Sequence, residues 1–178
     1  LLVYGRDLWQ IIKESLLAGP EMARARSVRA VWKDRPYFRL AVYLLVGTVP
    51  AAAAGLLFQD ALEKAFGSLS SVGCMLLVTG TVLFGTRFSK GPGRDLQDLC
   101  LRDCLVIGVA QSLALMPGIS RSGITIATGL FCGINRDLAA RFSFLLSVPA
   151  ILGANLLQAF EVRGALQTIN EWSLLIGG

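Results

Sequence analysis

The feature that most constrains this chain is the separation of its charged residues from long apolar stretches. Residues 40–58 and 142–160 contain no Asp, Glu, Lys or Arg, and residues 72–88 carry only Arg87, near the end of the stretch. Each stretch is long enough to cross a bilayer core of about 30 Å as a helix rising about 1.5 Å per residue. With 54% hydrophobic and 16% charged residues, the chain is too apolar for an ordinary soluble domain. We therefore predict an all-α integral membrane protein with three spans.

Two further uncharged stretches, residues 104–116 and 122–134, are too short to span a bilayer. Lysine and arginine favour the cytoplasmic side of a membrane, and Arg102 and Arg136 flank this pair at its two ends. Both ends therefore belong on one side. The sequence predicts a re-entrant helix-loop-helix hairpin, with Arg121 near the midplane in a setting of protein or water.

The remaining segments bear on domain organisation. We expect residues 1–178 to form a single membrane domain that lacks segments at both ends, because residues 1–6 read like the end of a span and residues 172–178 like the start of another. Residues 8–17 predict an interfacial helix that stops at residues 19–20, a Gly-Pro pair.

The basic run over residues 24–39 flanks a span, which indicates a topology signal or contact with the lipid bilayer and argues against nucleic acid as a partner. The four cysteines are expected to act as small apolar residues, and without histidine no zinc site is expected.

The most informative motif is the loop over residues 116–123, which reads Met-Pro-Gly-Ile-Ser-Arg-Ser-Gly. Its Pro-Gly pair predicts the end of one helix and its first serine can cap the next, so that backbone N–H groups face the loop at the positive end of a helix dipole. Glycines permit close approach of a ligand, and serine hydroxyls can donate hydrogen bonds to it. A guanidinium is a planar pair of donors whose spacing matches two phosphate oxygens. The motif therefore predicts an anion site, most simply for a lipid phosphate. The residues expected to contribute are Gly118, Ser120, Arg121, Ser122 and Gly123.

An alternative is that Arg121 only satisfies buried carbonyl groups at a helix break. Intramembrane ionisable residues are costly and usually functional, which favours the anion site but leaves the alternative open.

The stretch from Gln111 to Thr125, Gln-Ser-Leu-Ala-Leu-Met-Pro-Gly-Ile-Ser-Arg-Ser-Gly-Ile-Thr, is followed by Ala-Arg-Phe-Ser-Phe-Leu-Leu at residues 140–146. These two motifs closely resemble the undecaprenyl-diphosphate phosphatases, the bacitracin-resistance family of bacteria. The resemblance implies hydrolysis of undecaprenyl diphosphate in the bacterial inner membrane, which regenerates the lipid carrier of peptidoglycan synthesis and confers bacitracin resistance. It also implies a divalent cation, magnesium or calcium, and a site open to the outer face. A homodimer is left open.

Carried over by position, the resemblance gives Arg121, Ser120 and Ser122 catalytic roles. It gives Gly118, Gly123, Thr125 and Gln111 contacts with the substrate. One departure matters, because the family's acidic helix and Pro-x-Ser-Ser-x-Gly-His loop, which supply metal-associated glutamates, a serine and a histidine, do not occur in these residues. The chain therefore offers no convincing metal ligand, and either serine would lack a group to accept its proton.

Other classes of protein remain to be weighed against a phosphatase. A transporter of polyprenyl phosphates or other anions also uses broken helices whose N-termini meet an anion near the midplane. Substrate turnover separates the two. A histidine-dependent lipid phosphatase would need histidines for phosphoryl transfer, and these residues contain none. A purely structural subunit would leave the Arg121 loop unexplained.

Overall fold

The computed structural model describes residues 5–23, 32, 34–89 and 93–176. Within them the regular secondary structure is helical, apart from an isolated bridge between Arg94 and Ile134. Short 3₁₀ turns lie at Thr86–Phe88 and Leu96–Asp98. The α-helices of this part of the chain are α1 (Gly5–Ala23), α2 (Pro36–Leu57), α3 (Gln59–Phe66), α4 (Leu69–Gly85), α5 (Leu101–Leu113), α6 (Arg121–Phe131) and α7 (Arg136–Ile176).

Three of the helical segments are long and apolar enough to cross a membrane, namely Pro36–Leu57, Leu69–Phe88 and Arg136–Leu156. This confirms the predicted all-α class and the three candidate spans. Pro36 begins α2 in the first helical position, where its missing N–H costs nothing and its ring fixes a helical φ. Ser68 caps α4, its hydroxyl accepting a hydrogen bond from the Ser71 N–H at 3.3 Å.

One predicted helix end was wrong. The helix predicted to stop at residues 19–20 continues to Ala23, since a proline removes one hydrogen bond and often bends a helix without ending it. The predicted span over residues 142–160 lies within α7, which continues as a helix to Ile176. The end of an apolar stretch marks where a span leaves the membrane. It does not end the helix, because the polar residues that follow are adequate helix formers. The basic run predicted to mark topology lies largely outside the described residues.

Helix α1 lies against the start of the bundle. The Glu14 carboxylate accepts hydrogen bonds from the N–H groups of Tyr37 and Phe38 at 3.0 and 3.1 Å, which stabilises the positive end of α2. Asp7 forms a bidentate ion pair with Arg141 of α7. Helices α2 and α7 are therefore held at this end by one common neighbour.

The centre of the fold is the crossing of α2 and α5. A Cβ atom at Gly108 would lie 2.3 Å from the carbonyl oxygen of Gly47, so the two backbones approach as closely as only glycine allows. Buried side chains surround this contact, including Leu40, Ile107 and Leu146. The crossing also fixes the position of Gln111, which follows Gly108 by about one turn of α5.

The start of α5 and the end of α6, the two ends that lie away from the connecting loop, are side by side. Arg94 donates to both carboxylate oxygens of Asp103, near the start of α5, at 3.0 and 2.7 Å. The same guanidinium donates to the carbonyl of Cys132, just after α6, at 2.5 Å. The Arg94 N–H also donates to the Gly133 carbonyl at 2.7 Å. One arginine thus joins the first turn of α5 to the end of α6.

Candidate functional site

The loop between α5 and α6 has the local structure that its sequence predicts. The Ser120 hydroxyl accepts a hydrogen bond from the Gly123 N–H at 3.2 Å and caps α6, which begins at Arg121. Gly118 has a φ of +94°, in the left-handed region, and a Cβ atom there would lie 2.4 Å from the carbonyl oxygen of Val72 in α4. The loop therefore needs glycine both for its backbone angle and for its contact with α4.

Thr79 fastens the loop to α4, a contact that sequence reasoning missed. This residue is buried, and its hydroxyl accepts from the Ser120 N–H at 3.3 Å. The Thr79 hydroxyl can donate to the Met75 carbonyl, at an oxygen–oxygen distance of 3.1 Å, or to the Gly118 carbonyl, at 3.4 Å. The available signal was Thr79 itself, a hydroxyl residue inside a largely apolar span. Sequence periodicity does not connect this residue to the loop between α5 and α6, about forty residues later.

A cavity of about 370 Å³ lies among α2, α5, α7 and the first residue of α6. Most of its wall is apolar and built from small residues. Among the described residues that line it, Arg121 carries the one charged side chain, and none is a carboxylate. The other polar side chains in the wall are those of Thr48, Gln59, Gln111 and Gln158.

Gln111 and Arg121 are two of the polar side chains in the cavity wall. The Gln111 side chain is 1% exposed, and neither of its amide atoms has a hydrogen-bond partner among the described residues. Buried polar groups are nearly always paired, and an unpaired one costs about 1–3 kcal/mol. The half-buried Arg121 side chain makes no hydrogen bond or ion pair with any described residue. This weighs against the alternative that Arg121 satisfies buried carbonyls, and favours a ligand that pairs with both groups.

The structure separates the predicted site residues into two groups. Arg121 and Gln111 lie together in the cavity wall, whereas Gly118, Ser120, Ser122, Gly123 and Thr125 are not part of its lining. Their predicted roles in catalysis and substrate contact stay predictions.

Thr125 has a position that accounts for its presence in the motif. It is 1% exposed, and its hydroxyl donates to the Arg121 carbonyl at 2.8 Å. The same oxygen lies 2.6 Å from the hydroxyl oxygen of Ser143 in α7. These bonds fix the first turn of α6, and with it Arg121, against α7.

The two apolar walls of the cavity were not predicted from the sequence. Pro149 and Ala150 of α7 line one side and Ala51 of α2 lines the other. A usable signal was present, since Val-Pro-Ala occurs at both 49–51 and 148–150. The sequence alone could not show that these two segments border one space.

The residues present do not fit a divalent cation. Among the described residues, no group of three or more His, Cys, Asp or Glu side chains is arranged to hold a metal ion. Two of the buried carboxylates are already engaged, Asp7 with Arg141 and Asp103 with Arg94. Ligands for a cation near Arg121 would have to come from outside this lining.

Comparison with known proteins gives the family. The chain matches the family of the bacitracin resistance protein BacA over residues 1–178. It is 50% identical over 129 residues to an undecaprenyl-diphosphatase of Methanothermobacter thermautotrophicus, covering 71% of each protein. It is 39% identical over 165 residues to one of Alkaliphilus metalliredigens, covering 93% of this chain and 58% of the relative. It is 36% identical over 178 residues to one of Methanobrevibacter smithii, covering 99% of this chain and 64% of the relative.

The chain thus spans less than two thirds of the length of the last two of these relatives. The sequence match nevertheless extends across all of the present residues and includes the loop around Arg121. The protein therefore belongs to the bacitracin resistance protein BacA family.

Proposed function

We propose that this chain supplies the phosphate-binding part of a membrane phosphatase that hydrolyses undecaprenyl diphosphate to undecaprenyl phosphate and inorganic phosphate. The observation that carries the proposal is the cavity whose wall includes both Arg121 and Gln111, a fully buried side chain whose amide has no partner among the described residues. The relatives' names supply the substrate, because they are undecaprenyl-diphosphatases. Regeneration of the lipid carrier would support peptidoglycan synthesis and bacitracin resistance.

The chain's own residues would bind and polarise the terminal phosphoryl group. Arg121 offers a planar pair of donors to two phosphate oxygens, and its charge stabilises the negative charge spread over the transferring group. The Gln111 amide N–H donates to a third oxygen. In the reaction, a water oxygen bonds to the terminal phosphorus while the bond to the bridging oxygen breaks, leaving undecaprenyl phosphate. The described cavity wall holds no carboxylate or histidine to take the water's proton, so that base would come from elsewhere in the active protein.

The same geometry supports a proposal for the place of the site in the membrane. We propose that α5 and α6 form a re-entrant hairpin, which is supported by the contacts of Arg94 with both of its outer ends. The cavity then opens towards the face opposite Arg94, where the exposed side chains of Gln59 and Gln158 border it. This multi-pass protein would lie in a cell membrane. The relatives come from archaea as well as bacteria, and the bacterial inner membrane, the divalent cation and the homodimer stay predictions.

The test is phosphate release from undecaprenyl diphosphate in detergent with magnesium or calcium. Two proteins are compared, this chain and a version extended at its N-terminus by the acidic helix and histidine loop that the family resemblance implies. We expect Arg121→Ala to lower kcat/KM by about a hundredfold to a thousandfold, the usual loss for a donor to transition-state charge. Arg102→Ala is the matched control, because Arg102 is exposed and distant in sequence from the loop. If the extended protein binds the lipid but releases no phosphate with either cation, the phosphatase proposal fails and the transporter takes its place.

A further inference from the structure

Helices α6 and α7 meet along a line of small side chains. The hydroxyl oxygens of Thr125 and Ser143 lie 2.6 Å apart. One turn along each helix, a Cβ atom at Gly129 would lie 3.1 Å from the Cβ of Ala139. The paired residues run in opposite order along the chain, so the two helices are antiparallel where they touch. Small residues allow the close approach, and the hydroxyl pair adds a directional contact that fixes the rotation and the slide of α6 against α7.

One arrangement of the hydroxyl protons satisfies all three groups at this contact. Thr125 has a single hydroxyl proton, and the Arg121 carbonyl oxygen accepts it at 2.8 Å. The Thr125 oxygen then accepts a hydrogen bond from the Ser143 hydroxyl. Both hydroxyl residues are buried, where an unpaired hydroxyl would cost free energy. Two hydrogen bonds in series therefore connect α7 to the main chain of Arg121.

Hydrogen bonding within α6 does not by itself explain Thr125. Thr81 and Thr128 also donate to the carbonyl four residues earlier, at 2.8 and 2.7 Å, which is common for hydroxyl side chains in helices. Thr125 differs because it is fully buried and its hydroxyl also contacts a hydroxyl of another helix. Local helix preferences therefore account for Thr128 but not for the pair formed by Thr125 and Ser143.

The position of the Arg121 charge depends on this support. Arg121 is the first residue of α6, and its guanidinium makes no hydrogen bond or ion pair with any described residue. Its placement is therefore set by the backbone of the first turn of α6. A small rotation of α6 moves the end of this long side chain farther than it moves the backbone. Such a displacement matters in phosphoryl transfer, because a misplacement of about 1 Å can lower a rate by about a hundredfold.

We propose that Ser143 is a positioning residue for phosphoryl transfer, which acts through Thr125 on the main chain of Arg121. The inference rests on the proposed function. It gives Thr125 a supporting role in place of the substrate contact that the family resemblance implies, because the Thr125 hydroxyl is already engaged with Arg121 and Ser143. The bond between the two hydroxyls also joins the loop motif to the Ala-Arg-Phe-Ser-Phe-Leu-Leu stretch at residues 140–146.

The experiment is a double-mutant cycle on phosphate release from undecaprenyl diphosphate by the N-terminally extended protein, in detergent with magnesium or calcium. Ser143→Ala is measured alone and together with Arg121→Ala. We expect Ser143→Ala alone to lower kcat/KM by about tenfold, and by less than about twofold when residue 121 is already alanine. An equal loss in both backgrounds overturns the proposal, since Ser143 would then act independently of Arg121. Unchanged activity of Ser143→Ala overturns it as well.

Two substitutions of Thr125 separate the proposed support from a general loss of folding. Thr125→Ser keeps the hydroxyl and should retain most of the activity, whereas Thr125→Val keeps the shape, removes the hydroxyl and should match Ser143→Ala. Thr128→Val is the matched control, because the Thr128 hydroxyl bonds within α6 and lies outside the cavity lining. It should leave kcat/KM unchanged.

The remaining outcomes distinguish the inference from the proposed function. A loss from Thr125→Val that persists in the Arg121→Ala protein would assign Thr125 to the substrate and overturn its supporting role. Equal losses from Thr125→Ser and Thr125→Val would mean that the hydroxyl is not the group that matters. If the unmodified extended protein releases no phosphate, the proposed function itself fails, and this inference fails with it.

Discussion

Replacing Gln111 by methionine is expected to stabilise the ligand-free protein while weakening its binding of diphosphate. The Gln111 side chain is 1% exposed and its amide has no partner in the described part of the chain, and each unpaired buried donor or acceptor costs about 1–3 kcal/mol. Methionine has a similar length and fills irregular apolar space without polar atoms. Allowing for water that enters from the cavity, we expect a gain of about 1–3 kcal/mol in the free energy of unfolding without ligand.

Binding should change in the opposite direction. A hydrogen bond to a charged group contributes about 1.5–3 kcal/mol, so loss of the Gln111 contact would weaken diphosphate binding by about tenfold to a hundredfold. The assay is thermal unfolding in detergent, with and without undecaprenyl diphosphate, together with equilibrium binding. Gln97→Met is the control, because Gln97 is exposed and outside the cavity. It should leave both quantities unchanged.

Either of two results would refute this reasoning. A ligand-free Gln111→Met protein that unfolds more easily than the unmodified protein would show that the amide has a structural partner. A more stable variant with unchanged binding would show that the ligand does not contact Gln111.

Three further predictions concern the supports of the site. Thr79→Val removes the acceptor of the Ser120 N–H and should weaken lipid binding several-fold, by about 1 kcal/mol, whereas Thr81→Val, at an exposed position of the same helix, should not change it. Burial tends to raise the pKa of Asp103, but hydrogen bonds from its arginine partner and from a cysteine hold that pKa below its usual range. The carboxylate therefore stabilises the fold above the unfolded pKa of about 3.9 and loses this effect as the pH falls through the lower folded value. Asp103→Asn should accordingly lower the melting temperature at pH 7 and have a progressively smaller effect as the pH falls below about 3.9, and an effect that does not shrink with falling pH would contradict this account. Gly108→Ala places a Cβ 2.3 Å from a backbone oxygen and should cost about 1–3 kcal/mol or more in thermal unfolding, against no loss for Gly80→Ala.

Sequence by itself determined the features that depend on local chemistry or on the bilayer. The three spans follow from apolar length, because a lipid core sets the number of residues needed to cross it. The Ser120 cap and the turn at Gly118 follow from the preferences of single residues for particular backbone angles. The local motif also selected Arg121, whereas Gln111 was selected by the family resemblance.

Only the tertiary structure decided which motif residues share the cavity. Thr125 and Arg121 are one helical turn apart, yet packing of α6 against α7 buries Thr125 against Ser143 while Arg121 lines the cavity. The cavity walls come from α2 and α7, which are far apart in the chain, so no local pattern could show that Gly153 and Gly55 border one space. The physical reason is that a cavity depends on how distant helices cross, and those crossings are set by close contacts such as Gly108 against α2.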